Sequence, residues 1–148
     1  MLKERLTEDM KAAMKSGDSF ALGILRMVIA AVNTKSIEKR GKGLPSEMSD
    51  EEVLDVLAKE AKRREDAANQ FMDGGRADLA ENELKEREFL AKYLPVQMER
   101  EEVTTAIEAI IMTSAIKDFP TIMKEAMKQL KGRADGKLVG EIIKEKIA

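Results

Sequence analysis

The chain has 148 residues, with 26 Lys plus Arg against 28 Asp plus Glu and a formal net charge of −2 at pH 7. It contains no His, Cys or Trp. That excludes Ser-His and Cys-His nucleophile pairs, an imidazole base, disulfides and ordinary structural zinc sites.

A chain of this length forms one domain of ordinary size or two small ones, and can bury a core without covalent staples. Apolar residues make up 43% and charged residues 36%, with aromatics at only 3%, a profile of helices rather than strands. Near-zero net charge argues against a strongly basic nucleic-acid binder, so any anion site must be local. Scarce aromatics argue against a base-stacking platform. The longest uncharged runs, Met27 to Thr34 and Ala109 to Ile116, are each eight residues. A membrane span needs ~18. Met1-Leu2-Lys3-Glu4-Arg5 is no apolar leader, and the expectation is a cytoplasmic chain with no membrane partner.

Leu2, Leu6, Met10, Ala13 and Met14 recur at helical spacing, and Gly17 stops that helix. Asp18 or Ser19 caps a second helix carrying Leu22, Leu25, Val28, Ile29 and Val32, which ends near Lys39 before Gly41, Gly43 and Pro45. Ser49 and Glu52 form a capping box for a third, heavily charged helix that runs to Phe71. Gly74-Gly75 ends it, and Asp78 is placed to cap a fourth helix through Glu83, Phe89 and Tyr93. Leu94-Pro95 stops that helix, because a residue before Pro avoids helical dihedrals.

Three shorter helices follow. The first spans about Glu99 to Met112, with Val103, Ile107 and Ile110-Ile111 inward. The next begins near Asp118 to Pro120 and includes Ile122, Met123, Ala126 and Leu130. The last follows Asp135-Gly136, with Leu138, Val139, Ile142 and Ile143 inward. No segment has strand periodicity. The expected fold is all-α, a four-helix domain over residues 1–95 followed by a three-helix domain over 96–148.

The strongest local feature is Lys131-Gly132-Arg133-Ala134-Asp135-Gly136-Lys137. Three cations and two glycines precede a helix N-terminus, where unpaired amides and the helix dipole can hold a phosphate. Lys131, Gly132, Arg133 and Lys137 are therefore the candidate nucleic-acid-binding residues. The competing reading is a turn with solvated cations, and Asp135 would compete with an anion for the same amides. Gly75-Arg76-Ala77-Asp78 repeats the letters of Gly132-Arg133-Ala134-Asp135, which reads as shared turn chemistry.

Lys59, Lys62 and Arg63, with Arg64 beside them, form a secondary basic patch on the third helix. Glu60, Glu65 and Asp66 interleave, so a salt-bridged, solvated face is the competing reading. Glu81, Glu83, Glu86 and Glu88 alternate with Lys85, Arg87 and Lys92, so no metal or catalytic role is assigned to them. The ten Met residues read as core filler. No Walker loop or dinucleotide fingerprint is present. No catalytic residue, metal or cofactor is expected.

Leu2-Lys3-Glu4-Arg5-Leu6 with Asp9-Met10-Lys11, Leu25-Arg26-Met27, Tyr93-Leu94-Pro95 and Lys131 through Val139 together resemble the YqeY family. These small bacterial proteins are similar to the tail of the B subunit of glutamyl/aspartyl-tRNA amidotransferase, the GatB/YqeY domain. The resemblance covers essentially the whole chain. It implies a C-terminal three-helix bundle of GatB/YqeY type and a tRNA partner met by the Lys131 to Lys137 loop. The family's tail reads Gly-x-Ala-Asn/Asp, so Arg133 stands at the variable position. A carbon–nitrogen ligase label with glutamine as amido donor would be inherited from the larger enzyme, and only partner subunits could supply that chemistry. The expected function is a non-catalytic tRNA-binding or amidotransferase-like accessory module, and the alternative is a helical protein-interaction module.

Overall fold

The structure is a computed structural model describing residues 1–148. Seven helices follow one another: α1 (Leu2–Ser16), α2 (Ser19–Gly41), α3 (Asp50–Asp73), α4 (Ala77–Ala91), α5 (Arg100–Thr113), α6 (Phe119–Leu130) and α7 (Gly136–Ile147). There are no strands. The all-helical expectation holds, for the reason the periodicity gave.

The chain divides into two compact units, Met1–Leu94 and Pro95–Ala148. In the first, Leu6 of α1, Ile24, Leu25, Val28 and Val32 of α2, Val53 and Leu57 of α3, and Leu90 of α4 build one core. Each recurs at three- or four-residue spacing, so one stripe per helix is withdrawn from water. In the second, Val103, Ile107 and Ile110 of α5 meet Ile122, Ala126 and Leu130 of α6 and Val139, Ile142 and Ile143 of α7. Burying such a side chain contributes about 1.5–3 kcal/mol before entropy is counted.

Most helix ends follow their local chemistry. Gly17 takes φ 73°, a left-handed stop that costs Gly little, and Asp18 accepts the Ala21 N–H at 3.1 Å to open α2. Ser49 accepts the Glu52 N–H at 3.2 Å while Glu52 accepts the Ser49 N–H at 3.2 Å, so the capping box forms as read. Lys39 extends it: its Nζ donates to Glu52 at 2.8 Å and to the Glu47 carbonyl at 2.6 Å, tying the end of α2 to the start of α3. That ammonium and the adjoining Ser49 amide hold the Glu52 carboxyl below its usual range.

Two sequence expectations are corrected. Asp78 does not cap α4: Arg76 is the capping residue, Asp78 lies inside the first turn, and its carboxylate meets the Arg76 guanidinium at 3.4 Å. The repeated Gly-Arg-Ala-Asp letters thus share their left-handed glycine, at φ 76° and 79°, but not their helix register. In the second copy Asp135 is the cap, accepting the Lys137 N–H at 3.4 Å.

Only half of the methionines serve as core filler. Met10, Met48, Met98, Met123 and Met127 pack against the margins of the two cores. Met1, Met14, Met27, Met72 and Met112 are exposed. Branched aliphatic residues, with fewer rotamers to freeze, hold the interior instead.

Finally, α2 is long and apolar enough to cross a membrane by length and composition, with a window of mean hydropathy 1.4. Counting uncharged runs missed this because Arg26 interrupts the apolar stretch. In the unit, Ile24, Leu25, Val28 and Val32 of this helix face the core.

Candidate nucleic-acid interface

The loop between α6 and α7 is built by one glycine-permitted turn and a backbone anchor. Gly132 sits at φ 79°, which a residue with a Cβ would adopt only under strain. The N–H groups of Arg133 and Ala134 both reach the Leu130 carbonyl, at 2.9 and 3.1 Å, satisfying the end of α6. The Ala134 methyl is buried and joins the core of the second unit.

From the other side, the segment before α5 holds the loop in place. The Met98 N–H donates to the Arg133 carbonyl at 2.8 Å, and the Gln97 side-chain amide donates to the Gly132 carbonyl at 2.9 Å. Both contacts are made to backbone oxygens. They fix the loop without consuming the Arg133 side chain.

Lys131, Arg133 and Lys137 are exposed. Lys131 is the residue that ends α6, Arg133 stands mid-loop, and Lys137 is in the first turn of α7. Asp135 lies among them and accepts the Lys137 amide, so the N-terminus of α7 is capped from within the chain. The sequence reading put an anion on those amides. The exposed side chains, rather than the helix end, are what the loop offers a ligand.

Sequence reasoning named the loop but missed its neighbour. Lys124 and Lys128 of α6, with Lys131, line an open cleft of about 830 Å³ against Ile110, Thr113 and Ser114 at the end of α5. Spacings of four and three residues put these cations on one helix face. The signal was legible as spacing.

The secondary patch on α3 has a different character. Lys59, Lys62 and Arg63 are exposed, but Lys62 pairs with Asp66 at 3.9 Å and Arg63 with Glu60 at 3.5 Å. Arg64 is only 4% exposed. Its guanidinium donates to the Glu60 carboxylate at 2.9 Å, the Glu60 carbonyl at 3.0 Å and Glu86 at 3.1 Å. The expectation that Arg64 belongs to a solvated face is therefore corrected: a planar, forked cation satisfies two acids at once and is drawn into the helix packing. Of the α4 carboxylates, Glu86 serves Arg64 and Glu81 pairs with Lys85 at 3.5 Å.

Residues far apart in sequence also converge in the first unit. The Tyr93 hydroxyl donates to Asp9 at 2.5 Å, and the Arg5 guanidinium lies 4.9 Å from the Tyr93 ring centroid. Burial and the Asp9 carboxylate both push the Tyr93 hydroxyl pKa above its ordinary value.

The fold and site define a class: an all-helical protein presenting a pinned, cation-bearing loop. Comparison with known proteins gives the family. The Yqey-like protein family matches residues 3–147, and the chain belongs to it. Proteins named "Altered inheritance of mitochondria protein 41, mitochondrial" are similar along most of their length. The one from Lachancea thermotolerans is 30% identical over 134 residues, 87% of this chain and 68% of that protein. Those from Candida glabrata and Saccharomyces cerevisiae are 28% and 29% identical, covering 88% and 89% of this chain and 69% of each relative. These names correct the expectation of a cytoplasmic chain, since all three relatives are named as mitochondrial. The absence of an apolar leader from the residues read cannot assign a compartment.

Proposed function

We propose that the protein is a non-catalytic RNA-binding accessory module whose C-terminal three-helix unit, of GatB/YqeY type, takes tRNA. The reading treats the units before and after the Leu94-Pro95 junction as separate domains. The observation that carries it is the pinned α6–α7 loop, whose backbone oxygens are held by Gln97 and Met98 while Arg133 faces solvent. A rigid loop loses little entropy on binding, and an exposed guanidinium can meet a phosphate through two parallel hydrogen bonds. Carbon–nitrogen ligation is not part of this reading.

The test is binding of the purified protein to bulk tRNA and to mitochondrial tRNA, the second because the relatives' names place those proteins in mitochondria. Binding should weaken with salt at a slope reporting a few phosphates. Reversing the charge of Lys131, Arg133 and Lys137 should abolish it. Unchanged affinity in that variant would remove the site assignment.

A second reading is a protein-interaction module. The observation favouring it is the exposure of large apolar side chains on α2, where Phe20, Met27 and Ile37 are 47, 55 and 66% exposed. Such binding would track apolar surface, depend weakly on salt and survive RNase treatment.

A further inference from the structure

We infer that the RNA-contacting surface extends beyond the loop, along the face of α6 that bears Lys124 and Lys128, so that this helix is a track for consecutive phosphates. The inference rests on the RNA reading above and specifies where the strand lies. Rising 1.5 Å per residue, the helix places Lys124, Lys128 and Lys131 about 6 and 4.5 Å apart along its axis. All three line the same cleft. Lys131 closes the helix and leads directly to Arg133, making the row continuous with the loop.

Pairing separates Lys124 and Lys128 from Lys62 and Arg63 of the other basic stripe. On α3, Lys62 and Arg63 are matched to acids on their own helix. No carboxylate forms an ion pair with Lys124 or Lys128. The one acid on the cleft wall, Glu125, accepts from the Gln129 amide at 2.9 Å instead. A second acid near the start of the helix, Asp118, is engaged as its cap by the Thr121 N–H at 2.9 Å.

The chemistry selects a phosphodiester backbone rather than bases. Lysine ammonium groups act as point charges with rotatable donors, suited to phosphate oxygens and not to reading base edges. The cleft walls contribute Ile110 and Met127 but no aromatic ring on which a base could stack. Recognition along α6 is therefore indifferent to sequence.

The experiment measures the salt dependence of bulk tRNA binding by four proteins: the unaltered chain, Lys124→Gln/Lys128→Gln, the loop variant reversed at Lys131, Arg133 and Lys137, and Lys11→Gln/Lys15→Gln. The last removes the same charge from exposed positions of α1. Losing two phosphate contacts should lower the slope of log K against log salt by about 1.4–1.8 and weaken binding about tenfold or more at low salt. The α1 variant should keep the original slope. An unaltered slope in Lys124→Gln/Lys128→Gln, alongside lost binding in the loop variant, would overturn the track while leaving the RNA reading intact. An equal loss in the α1 variant would also overturn it, by showing a net-charge effect. Absence of salt-sensitive tRNA binding by the unaltered chain would overturn the RNA reading and the track together.

Discussion

In the unit spanning Met1–Leu94, Arg64 is buried against Glu60 and Glu86, Lys39 is clamped on Glu52, and Arg5 lies over the Tyr93 ring. In the unit spanning Pro95–Ala148, Arg133 and Lys137 are exposed on a pinned loop, and Lys124 and Lys128 line an open cleft. The same residue types do different physical work. A cation that has paid its desolvation and found two acids builds helix packing, whereas one left hydrated beside a rigid loop keeps its charge for a ligand.

The contrast can be broken most severely at Arg64. Replacing it by Ala leaves Glu60, only 7% exposed, with the more distant and exposed Arg63 alone, and should cost about 3 kcal/mol in urea denaturation. Arg63→Ala, one position away, should cost about 0.5 kcal/mol or less. Equal costs would mean that burial does not distinguish the two arginines.

Tyr93→Phe comes next. Its hydroxyl donates to a carboxylate, so removing it should cost about 1.5 kcal/mol, read in the same denaturation assay. The pH dependence follows from the raised pKa: the protonated hydroxyl is favoured in the folded chain over an unfolded value of 10.0. Its contribution is full below pH 10 and is lost as pH climbs beyond that value toward the folded pKa. Tyr93→Phe should remove that part of the alkaline loss of stability.

The caps give a smaller effect. Asp118 accepts the Thr121 N–H at 2.9 Å, and Asp118→Ala should cost about 1 kcal/mol. Asp78 makes no capping bond, and Asp78→Ala should cost only the few tenths of a kcal/mol due to charge near a helix start. A thermal melt of each variant compares them directly.

Much of this fold was readable from residues alone. Ser49 with Glu52, Asp18, Asp118 and Asp135 mark four helix starts because a cap is a local interaction between residues two or three apart. Asp78 was misread for the same reason: its local context is right for a cap, and nothing within four residues reveals that α4 begins earlier. Arg64 shows a different boundary. Its pairing with Glu60 is an i, i+4 relation visible in sequence, but Glu86 lies 22 residues away and decides the burial. The Met residues were read by hydrophobicity, and which margin each one reaches depends on packing between helices.

The loop was found because Gly, Asp and three cations cluster within seven residues. Its anchor was not, since Gln97 reaches Gly132 across 35 residues. The α6 row was missed because Lys124, Lys128 and Lys131 share a face only when their spacing is read as a helix.

The most direct test sets one unit's cations against the other's. Affinity for tRNA at low salt would be measured for the chain reversed in charge at Lys131, Arg133 and Lys137, and for the chain reversed at Lys59, Lys62 and Arg63. The account predicts that the first variant loses tRNA while the second, whose Lys62 and Arg63 are already matched to acids on α3, binds nearly as the unaltered protein does. Loss in the α3 variant with retention in the loop variant would contradict it.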